Sequence, residues 1–193
     1  MAAHAEWQAS GAEVLRRAVF LDRDGVINRA VVRNGRPYPP ATLEDLEILP
    51  GVKDALHQLR GAGYLLIVVT NQPDVTRGIQ KREVLDAMHA HLMAVLPLDE
   101  IKICFGTSSE TSECYKPRPG MLLEAAQQYG IDLKHSYIVG DRWRDIGAGH
   151  AAGTFTIFLD YGYEEQRPQH PDATVHSLTE AAALIISNRL GVN

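Results

Sequence analysis

Two aspartates separated by one residue, Asp22 and Asp24, follow a short apolar run that ends at Leu21. Residues i and i+2 of an extended chain point the same way, so both carboxylates can face one site. Two carboxylates that lie close together are costly unless a cation or a shared proton relieves their repulsion. The pair therefore predicts metal binding or acid–base chemistry, and a polar Asp/Gly turn at Gly25 is the alternative interpretation.

Polar residues also follow the next apolar run, which spans residues 64–69. Thr70 and Asn71 offer a hydroxyl and neighbouring backbone N–H groups, which can hold a phosphate oxygen. Ordinary turn residues at the end of a strand have a similar composition. Phosphate binding and a simple turn therefore both remain open for this segment when it is considered alone.

Three charged residues further along the chain also lie near the end of a predicted strand or the start of a predicted helix. Lys116 precedes a helix signal at Pro119, and on its own it is typical of a solvated surface lysine. Asp141 follows an apolar run and is placed like a metal ligand. Asp145, four residues later, is either a second residue of that site or a charge partner for a helix N-terminus.

Apolar runs typical of buried strands alternate with helical patterns along the chain. The predicted strands are 18–21, 64–69, 101–105, 136–139 and 155–159, and the predicted helices are 52–60, 82–96, 121–129, 145–152 and 178–190. This alternation predicts an α/β fold with a mostly parallel, doubly wound sheet. Ligands of such sheets bind beyond the carboxyl ends of the strands, where the polar residues described above fall.

Taken in order, Asp-x-Asp, Thr, Lys and Gly-Asp resemble the four motifs of the haloacid dehalogenase (HAD) superfamily of phosphohydrolases, over about residues 18–159. The chain looks particularly like subfamily IIIA, which contains histidinol-phosphate and heptose-bisphosphate phosphatases. The matching segments are DRDGVIN, LPGVKDAL, VVTNQ, the downstream RG, KPRPGML and VGDRWRD. The resemblance implies a Rossmann-like core with a minimal cap or none, and a Mg²⁺-dependent phosphomonoesterase. The implied substrate is a sugar phosphate or a sugar bisphosphate such as heptose 1,7-bisphosphate.

The same resemblance implies a role for each motif residue. Asp22 would be the nucleophile, which forms an aspartyl-phosphate, and Asp24 the general acid and base. Thr70 and Lys116 would bind the phosphate. Mg²⁺ would be held by Asp22, by Asp141 and by Asp24 through its backbone carbonyl. Further candidates are Asn28, Asn71, Arg77 and Arg118 for substrate binding and Asp145 as a supporting residue or direct ligand of the metal.

The loop before Lys116 departs from the pattern of this subgroup. Tyr115 stands where the subgroup often has an arginine, which would be expected to grip a second phosphate or another anion of the substrate. The candidates that could supply this charge instead are Arg77, Arg118, Arg142 and Arg144.

Many members of the subgroup also carry a zinc loop with three cysteines and a histidine. Here the loop reads CFGTSSETSECYKP and offers only Cys104 and Cys114, so structural zinc, which needs four N or S ligands, is not expected. Two cysteines cannot form a disulfide framework, and they predict a reducing compartment. His57, His89 and His91 fall in helical patterns away from the predicted site and are interpreted as surface or packing residues.

A chain of 193 residues has room for one domain. We predict an N-terminal extension at 1–16 and a single phosphatase domain at 17–193. Within the domain, residues 28–49 contain three prolines and little helical periodicity, which indicates a flap above the sheet.

The charge pattern restricts the partners. A net charge of −5 without a block of Lys and Arg disfavours nucleic-acid and membrane-surface partners. The apolar runs are too short to span a bilayer and the N-terminus lacks a signal-peptide pattern. We therefore expect a cytoplasmic monomer or homodimer that acts on a small phosphate ester. The alternatives are a histidinol-phosphate phosphatase, a nucleic-acid 3′-end phosphatase and a non-catalytic binding protein with the same fold.

Overall fold

The computed structural model describes residues 15–188. Nearly all of the predicted extension at 1–16, and the end of the predicted helix at 178–190, lie outside the described residues. The elements in chain order are β1 (Ala18–Leu21), β2 (Val31–Arg33), β3 (Arg36–Tyr38), α1 (Val52–Gly61), β4 (Leu65–Asn71), α2 (Pro73–Thr76), α3 (Arg82–Val95), β5 (Glu100–Cys104), α4 (Gly120–Tyr129), a 3₁₀ helix (Leu133–His135), β6 (Tyr137–Gly140), α5 (Trp143–Ala152), β7 (Phe155–Leu159), β8 (Ala173–Val175) and α6 (Leu178–Asn188).

Within the described part of the chain, six parallel strands form one sheet in the order β5–β4–β1–β6–β7–β8. Strand β1 pairs with β4 on one side and with β6 on the other. The sheet therefore grows in both directions from its first strand, which confirms the predicted doubly wound α/β fold. The carboxyl end of β1 lies where the strand order reverses, the place at which such sheets bind ligands.

Strand β1 is buried on both faces, as its continuous apolar sequence predicts. Val19 and Leu21 belong to the apolar core that includes residues of α1 and α6, whereas Ala18 and Phe20 belong to the core that includes residues of α4 and α5. Packing on both faces holds the end of this strand in place. No helix among the described residues is long and apolar enough to cross a membrane.

Short elements escaped the sequence analysis. Helix α2 and strand β8 were not predicted, because three or four residues are too few to show a periodic pattern. Strand β4 runs to Asn71, two residues beyond its predicted end. Thr70 and Asn71 pair there with Ile103 and Cys104 of β5 and are therefore positioned by the sheet.

The excursion at 28–49 contains an antiparallel hairpin formed by β2 and β3. Two contacts tie this flap to the rest of the molecule. The backbone N–H of Glu164 donates to the carbonyl oxygen of Gly35 at 2.8 Å. The side chain of Gln80 donates to the carbonyl oxygen of Ala41 at 3.0 Å. The flap is therefore anchored to segments on both sides of it.

The expectation of two reduced cysteines is wrong for this structure. Cys104, at the end of β5, and Cys114 form a disulfide with their Cα atoms 5.5 Å apart, a usual separation for such a bond. The intervening loop folds back on the strand and brings the two residues together. Their spacing in the sequence does not reveal this approach, because it depends on the path of the loop.

The packing of α5 on the sheet gives a first prediction. A Cβ added at Gly149 would lie 2.3 Å from a methyl carbon of Ile138 and 2.6 Å from that of Thr156. We expect Gly149→Ala to lower the free energy of unfolding by about 1–3 kcal/mol because of overpacking, as measured by urea denaturation. Gly61→Ala is the matched control, since nothing lies within 4 Å of an added Cβ there. Equal losses in the two variants would contradict this account.

Candidate active site

Asp22 lies immediately after the central strand β1. Its backbone N–H donates to the carbonyl oxygen of Val139 at 2.9 Å, which extends the pairing between β1 and β6 by one residue. The residue is buried apart from 8% of its surface. A carboxylate mounted on a buried strand is held more rigidly than one on a free loop.

The ammonium group of Lys116 is buried against this carboxylate. Nζ lies 2.8 Å from Oδ1 of Asp22, 2.6 Å from Oδ1 of Asp145 and 2.7 Å from the carbonyl oxygen of Val69. An ammonium group has three protons, so each of these oxygens can accept one. One cation thus joins β1, β4 and α5 beneath the site.

This contact controls the ionisation of both groups. Burial by itself would lower the pKa of Lys116, but Asp145 and Asp22 outweigh it and raise that pKa above its usual value. Burial raises the pKa of Asp22 to about 6, Lys116 opposes the rise and Asp145 adds to it. At pH 7 Lys116 is charged and Asp22 is mostly a carboxylate, the form that can attack phosphorus.

Asn71 fixes the loop that carries Lys116. The backbone N–H of Lys116 donates to Oδ1 of Asn71 at 3.1 Å, and Nδ2 of Asn71 donates to the carbonyl oxygen of Lys116 at 3.2 Å. The side-chain amide of Asn71 therefore forms hydrogen bonds with both the N–H and the carbonyl group of Lys116. The sequence analysis predicted substrate binding for Asn71, and the structure adds this positioning contact.

Asp141 directly follows β6 and is almost completely buried. Neither of its carboxylate oxygens accepts a hydrogen bond from any residue between 15 and 188. Burial, and then the charges of Asp22 and Asp145, raise the pKa of Asp141 well above its usual value. Burial, and then the nearby charge of Asp141, raise the pKa of the Tyr163 phenol, but no hydrogen bond of ordinary geometry joins the two side chains. A buried carboxylate in this state needs a cation or a proton to compensate it.

The residues around Asp141 fit a divalent cation. One oxygen each from Asp22, Asp141 and Asp145 lie within 4.8 Å of one another. Both oxygens of Asp145 already accept hydrogen bonds, from Lys116 and from the backbone of Arg142, which leaves Asp22 and Asp141 as the better ligands. This all-oxygen donor set suits Mg²⁺.

Gly25 shapes the same place. Its φ is +88°, a conformation that side chains rarely adopt, and an added Cβ would lie 1.9 Å from Oδ2 of Asp141. The Asp-Gly step that follows Asp24 is therefore required by the close approach of the backbone to Asp141. The turn at Gly25 and a site formed by the neighbouring carboxylates are therefore compatible interpretations of this segment.

The Asp24 carboxylate is surrounded by donors. Nη2 of Arg23 lies 2.9 and 2.8 Å from its two oxygens, Nδ2 of Asn28 donates at 2.9 Å and Nε2 of Gln72 donates at 3.2 Å. The side chain thus lies outside the group formed by Asp22, Asp141 and Asp145. A metal contact from Asp24 would therefore use its backbone carbonyl, as predicted, and the predicted substrate residue Asn28 is buried against this carboxylate.

Two residues behind Asp24 were missed by the sequence analysis. Arg23 is completely buried, and its Nη1 lies 2.9 Å from Nε2 of His89 on α3. Burial and then the charge of Arg23 lower the pKa of His89 to about 4, so its ring is neutral and accepts from Arg23. His89 is one contact from Asp24 and was wrongly placed away from the site. Its spacing from the buried Leu85 and Leu92 offered a signal.

Asp145 makes two kinds of contact, one at the start of a helix and one with Lys116. Its Oδ2 accepts from the backbone N–H of Arg142 at 3.0 Å and so caps the start of α5, while its Oδ1 accepts from Lys116. Capping fixes its side chain, and the contact with Lys116 brings it into the site. The sequence left these roles as alternatives because each alone explains an acid near a helix start.

A cavity of about 330 Å³ opens above these groups. Nine of the predicted residues line it: Asp22, Asp24, Thr70, Asn71, Arg77, Lys116, Arg142, Arg144 and Asp145. The guanidinium of Arg118 instead pairs with Glu113 and is not part of the lining. Arg36 and Gln72 also line the cavity and were missed. Arg36 lies in the predicted flap, but its approach to the cavity depends on how the flap folds, which no local pattern shows.

Comparison with known proteins gives consistent results. A family profile described as HAD-hydrolase-like matches residues 113–181. The D-glycero-β-D-manno-heptose-1,7-bisphosphate 7-phosphatase of Rhodopseudomonas palustris is 34% identical over 150 residues, which are 72% of this chain and 80% of that protein. The D-glycero-D-manno-heptose-1,7-bisphosphate 7-phosphatase of Thermosynechococcus vestitus is 31% identical and covers 90% of this chain and 97% of its own length.

A solved structure agrees with these relatives. The D,D-heptose 1,7-bisphosphate phosphatase of B. bronchiseptica, complexed with magnesium and phosphate, superposes with a TM-score of 0.72 at 25% identity. The match covers 89% of this chain and 99% of the other. The likeness therefore extends over the sheet, the helices and the strand ends described above.

The buried pair of Arg23 and His89 predicts how stability depends on pH. Because the pKa of His89 falls from 6.5 to about 4 on folding, the unfolded chain binds an extra proton between these values. The resulting stabilisation is present above pH 6.5 and is lost as the pH falls through about 4. His89→Gln keeps an acceptor for Arg23 but does not titrate. We expect the wild type to lose up to roughly 3 kcal/mol relative to this variant between pH 7 and pH 4.

The measurement is the free energy of unfolding in urea at several pH values across this window. His91→Gln is the matched control, because His91 is an exposed residue of the same helix. Its curve should run parallel to that of the wild type. Parallel curves for His89→Gln would show instead that the ring gains no stabilisation from remaining neutral.

Proposed function

Because this chain belongs to the HAD-like hydrolase family and is a phosphatase, we propose that it hydrolyses a phosphomonoester of a sugar bisphosphate with Mg²⁺ and Asp22. The main support is the buried group of Asp22, Asp141 and Lys116 at the central strand end. It combines a carboxylate that is mostly ionised at pH 7, a fixed cation and an acid whose oxygens have no donor among residues 15–188.

Asp22 and Asp141 would hold Mg²⁺, with the backbone carbonyl of Asp24 as a further ligand. When bound, the ion neutralises charge between the nucleophile and the phosphate. Lys116 and the hydroxyl of Thr70 would stabilise charge on the phosphate oxygens. Removal of one such donor typically costs about 10²–10³ in rate.

The reaction takes place in two steps. A carboxylate oxygen of Asp22 forms a bond to phosphorus while the bond to the sugar oxygen breaks, and Asp24 gives that oxygen its proton. Asp24, now a carboxylate, then takes a proton from a water molecule that attacks the aspartyl-phosphate. Phosphate leaves, and Asp22 is regenerated as a carboxylate. The donors around Asp24 keep its side chain in one orientation for both steps.

The substrate class rests on the relatives and on the cavity. The similar proteins from R. palustris and T. vestitus are named heptose-1,7-bisphosphate 7-phosphatases. A cavity of about 330 Å³ is large enough for a small metabolite and is lined by charged and polar residues. Heptose 1,7-bisphosphate is therefore the substrate that we propose to test first.

Removal of the nucleophile is the most direct test. We expect Asp22→Asn to lose roughly 10³-fold or more of the phosphate release from heptose 1,7-bisphosphate, because the amide cannot form the aspartyl-phosphate. Chelation of Mg²⁺ with EDTA should abolish phosphate release by the wild type, and excess Mg²⁺ should restore this activity. Asp74→Asn is the matched control, since Asp74 lines the same cavity but its side chain contacts, within the described structure, only the guanidinium of Arg77. Equal activity in Asp22→Asn and wild type would refute the proposal.

The role of Asp24 can be tested with two leaving groups. We expect Asp24→Asn to slow hydrolysis of the sugar phosphate by about 10²–10⁴, because both proton transfers are lost. With p-nitrophenyl phosphate, whose leaving group needs no acid, the variant should release a burst of one p-nitrophenolate per enzyme and then slow. The same loss on both substrates without a burst would exclude Asp24 as the base of the second step.

A further inference from the structure

The cavity over Asp22 carries an excess of positive charge. Among the described residues, four carboxylates line it, and each has a cationic partner. The pairs are Lys116 with Asp22 and Asp145, Arg23 with Asp24, and Arg77 with Asp74. Three cations thus serve these four acids, since Lys116 is shared, and within residues 15–188 no side-chain ion pair joins the acids to the remaining arginines of the cavity.

Three further arginines line the cavity in the described structure: Arg36, Arg142 and Arg144. The side chain of Arg142 donates to the carboxylate of Glu165 at 2.8 Å, and this carboxylate balances its charge. Arg36 and Arg144 form no hydrogen bond or ion pair with any residue between 15 and 188. The guanidinium of Arg144 only stacks on its neighbour Trp143, with Cζ 4.7 Å from the ring centroid, so its N–H donors remain free.

The two unpaired arginines belong to elements that do not hold the reacting groups. Arg36 begins strand β3 of the flap, and Arg144 lies in the first turn of α5. Asp22, Thr70 and Lys116 come from β1, β4 and the loop after β5. We propose that Arg36 and Arg144 form a subsite for the second, non-reacting phosphate of the substrate.

This inference rests on the proposed function and deepens it. A guanidinium binds phosphate through parallel N–H donors, and such charge-assisted bonds are stronger than neutral ones. The protein as a whole carries a charge of −5, so two uncompensated cations in one cavity are suited to an anionic group of the ligand. A subsite built from the flap and α5 would make the enzyme prefer bisphosphates to monophosphates.

The test compares two ligands that differ only in the second phosphate, heptose 1,7-bisphosphate and heptose 7-phosphate. Steady-state kinetics with Mg²⁺ are measured for the wild type, Arg36→Gln, Arg144→Gln and the double variant. We expect the double variant to lose at least about tenfold in kcat/KM on the bisphosphate, mainly through KM, and less than about twofold on the monophosphate.

Arg33→Gln is the matched control for charge. Arg33 belongs to the same hairpin, stacks over the ring of Tyr38 at 5.8 Å and is not part of the cavity lining. It should leave the ratio of the two kcat/KM values unchanged. Thermal melting of all variants verifies that they are folded at the assay temperature.

Calorimetric binding separates this inference from the proposed function. Both ligands are titrated with Mg²⁺ into Asp22→Asn and into Asp22→Asn carrying both arginine changes. Selective weakening of bisphosphate binding supports the subsite, whereas equal weakening for both ligands, no weakening or no binding overturns it. If the wild type turns over neither ligand, the proposed function fails while the binding comparison still decides the subsite.

Discussion

The site depends on the ammonium group of Lys116, which is buried between the carboxylates of Asp22 and Asp145. Two buried acids so close together would repel each other, and the cation between them makes their approach favourable. The same three charges join the end of β1, the loop after β5 and the start of α5. The interaction that places the proposed nucleophile therefore also holds these three elements together. The side-chain amide of Asn71 fixes the loop that carries Lys116.

A chain of buried polar contacts connects Asp24 to helix α3. The buried guanidinium of Arg23 spans Asp24 and His89, so the orientation of the proposed proton shuttle depends on a ring on α3. Loss of either contact of Arg23 would be destabilising, because an unpaired buried charge is costly. Burial keeps His89 neutral, which lets it accept from the arginine rather than repel it.

The distribution of charge explains how an acidic protein can receive a phosphate ester. The four acids that line the cavity in the described structure are paired with cations, and Asp141 joins Asp22 in a buried acidic group that suits a divalent cation. The arginines at the flap and at α5 add positive charge on the same cavity. A negative protein can therefore present a locally positive site to an anion, because charges close to the ligand dominate over distant, screened ones.

The parallel sheet, its helices and the order of the polar strand ends can be predicted from the amino-acid sequence, because burial on both faces leaves continuous apolar runs and ligand-binding residues follow them. The same pattern singles out Asp22, Asp24, Lys116 and Asp141. The groups that support these residues, such as His89 beside Arg23, and the position of Arg36 at the cavity are visible only in the folded chain. The same is true of the disulfide between Cys104 and Cys114. These contacts link residues that are distant in the chain or joined by an irregular loop, so no local periodicity records them.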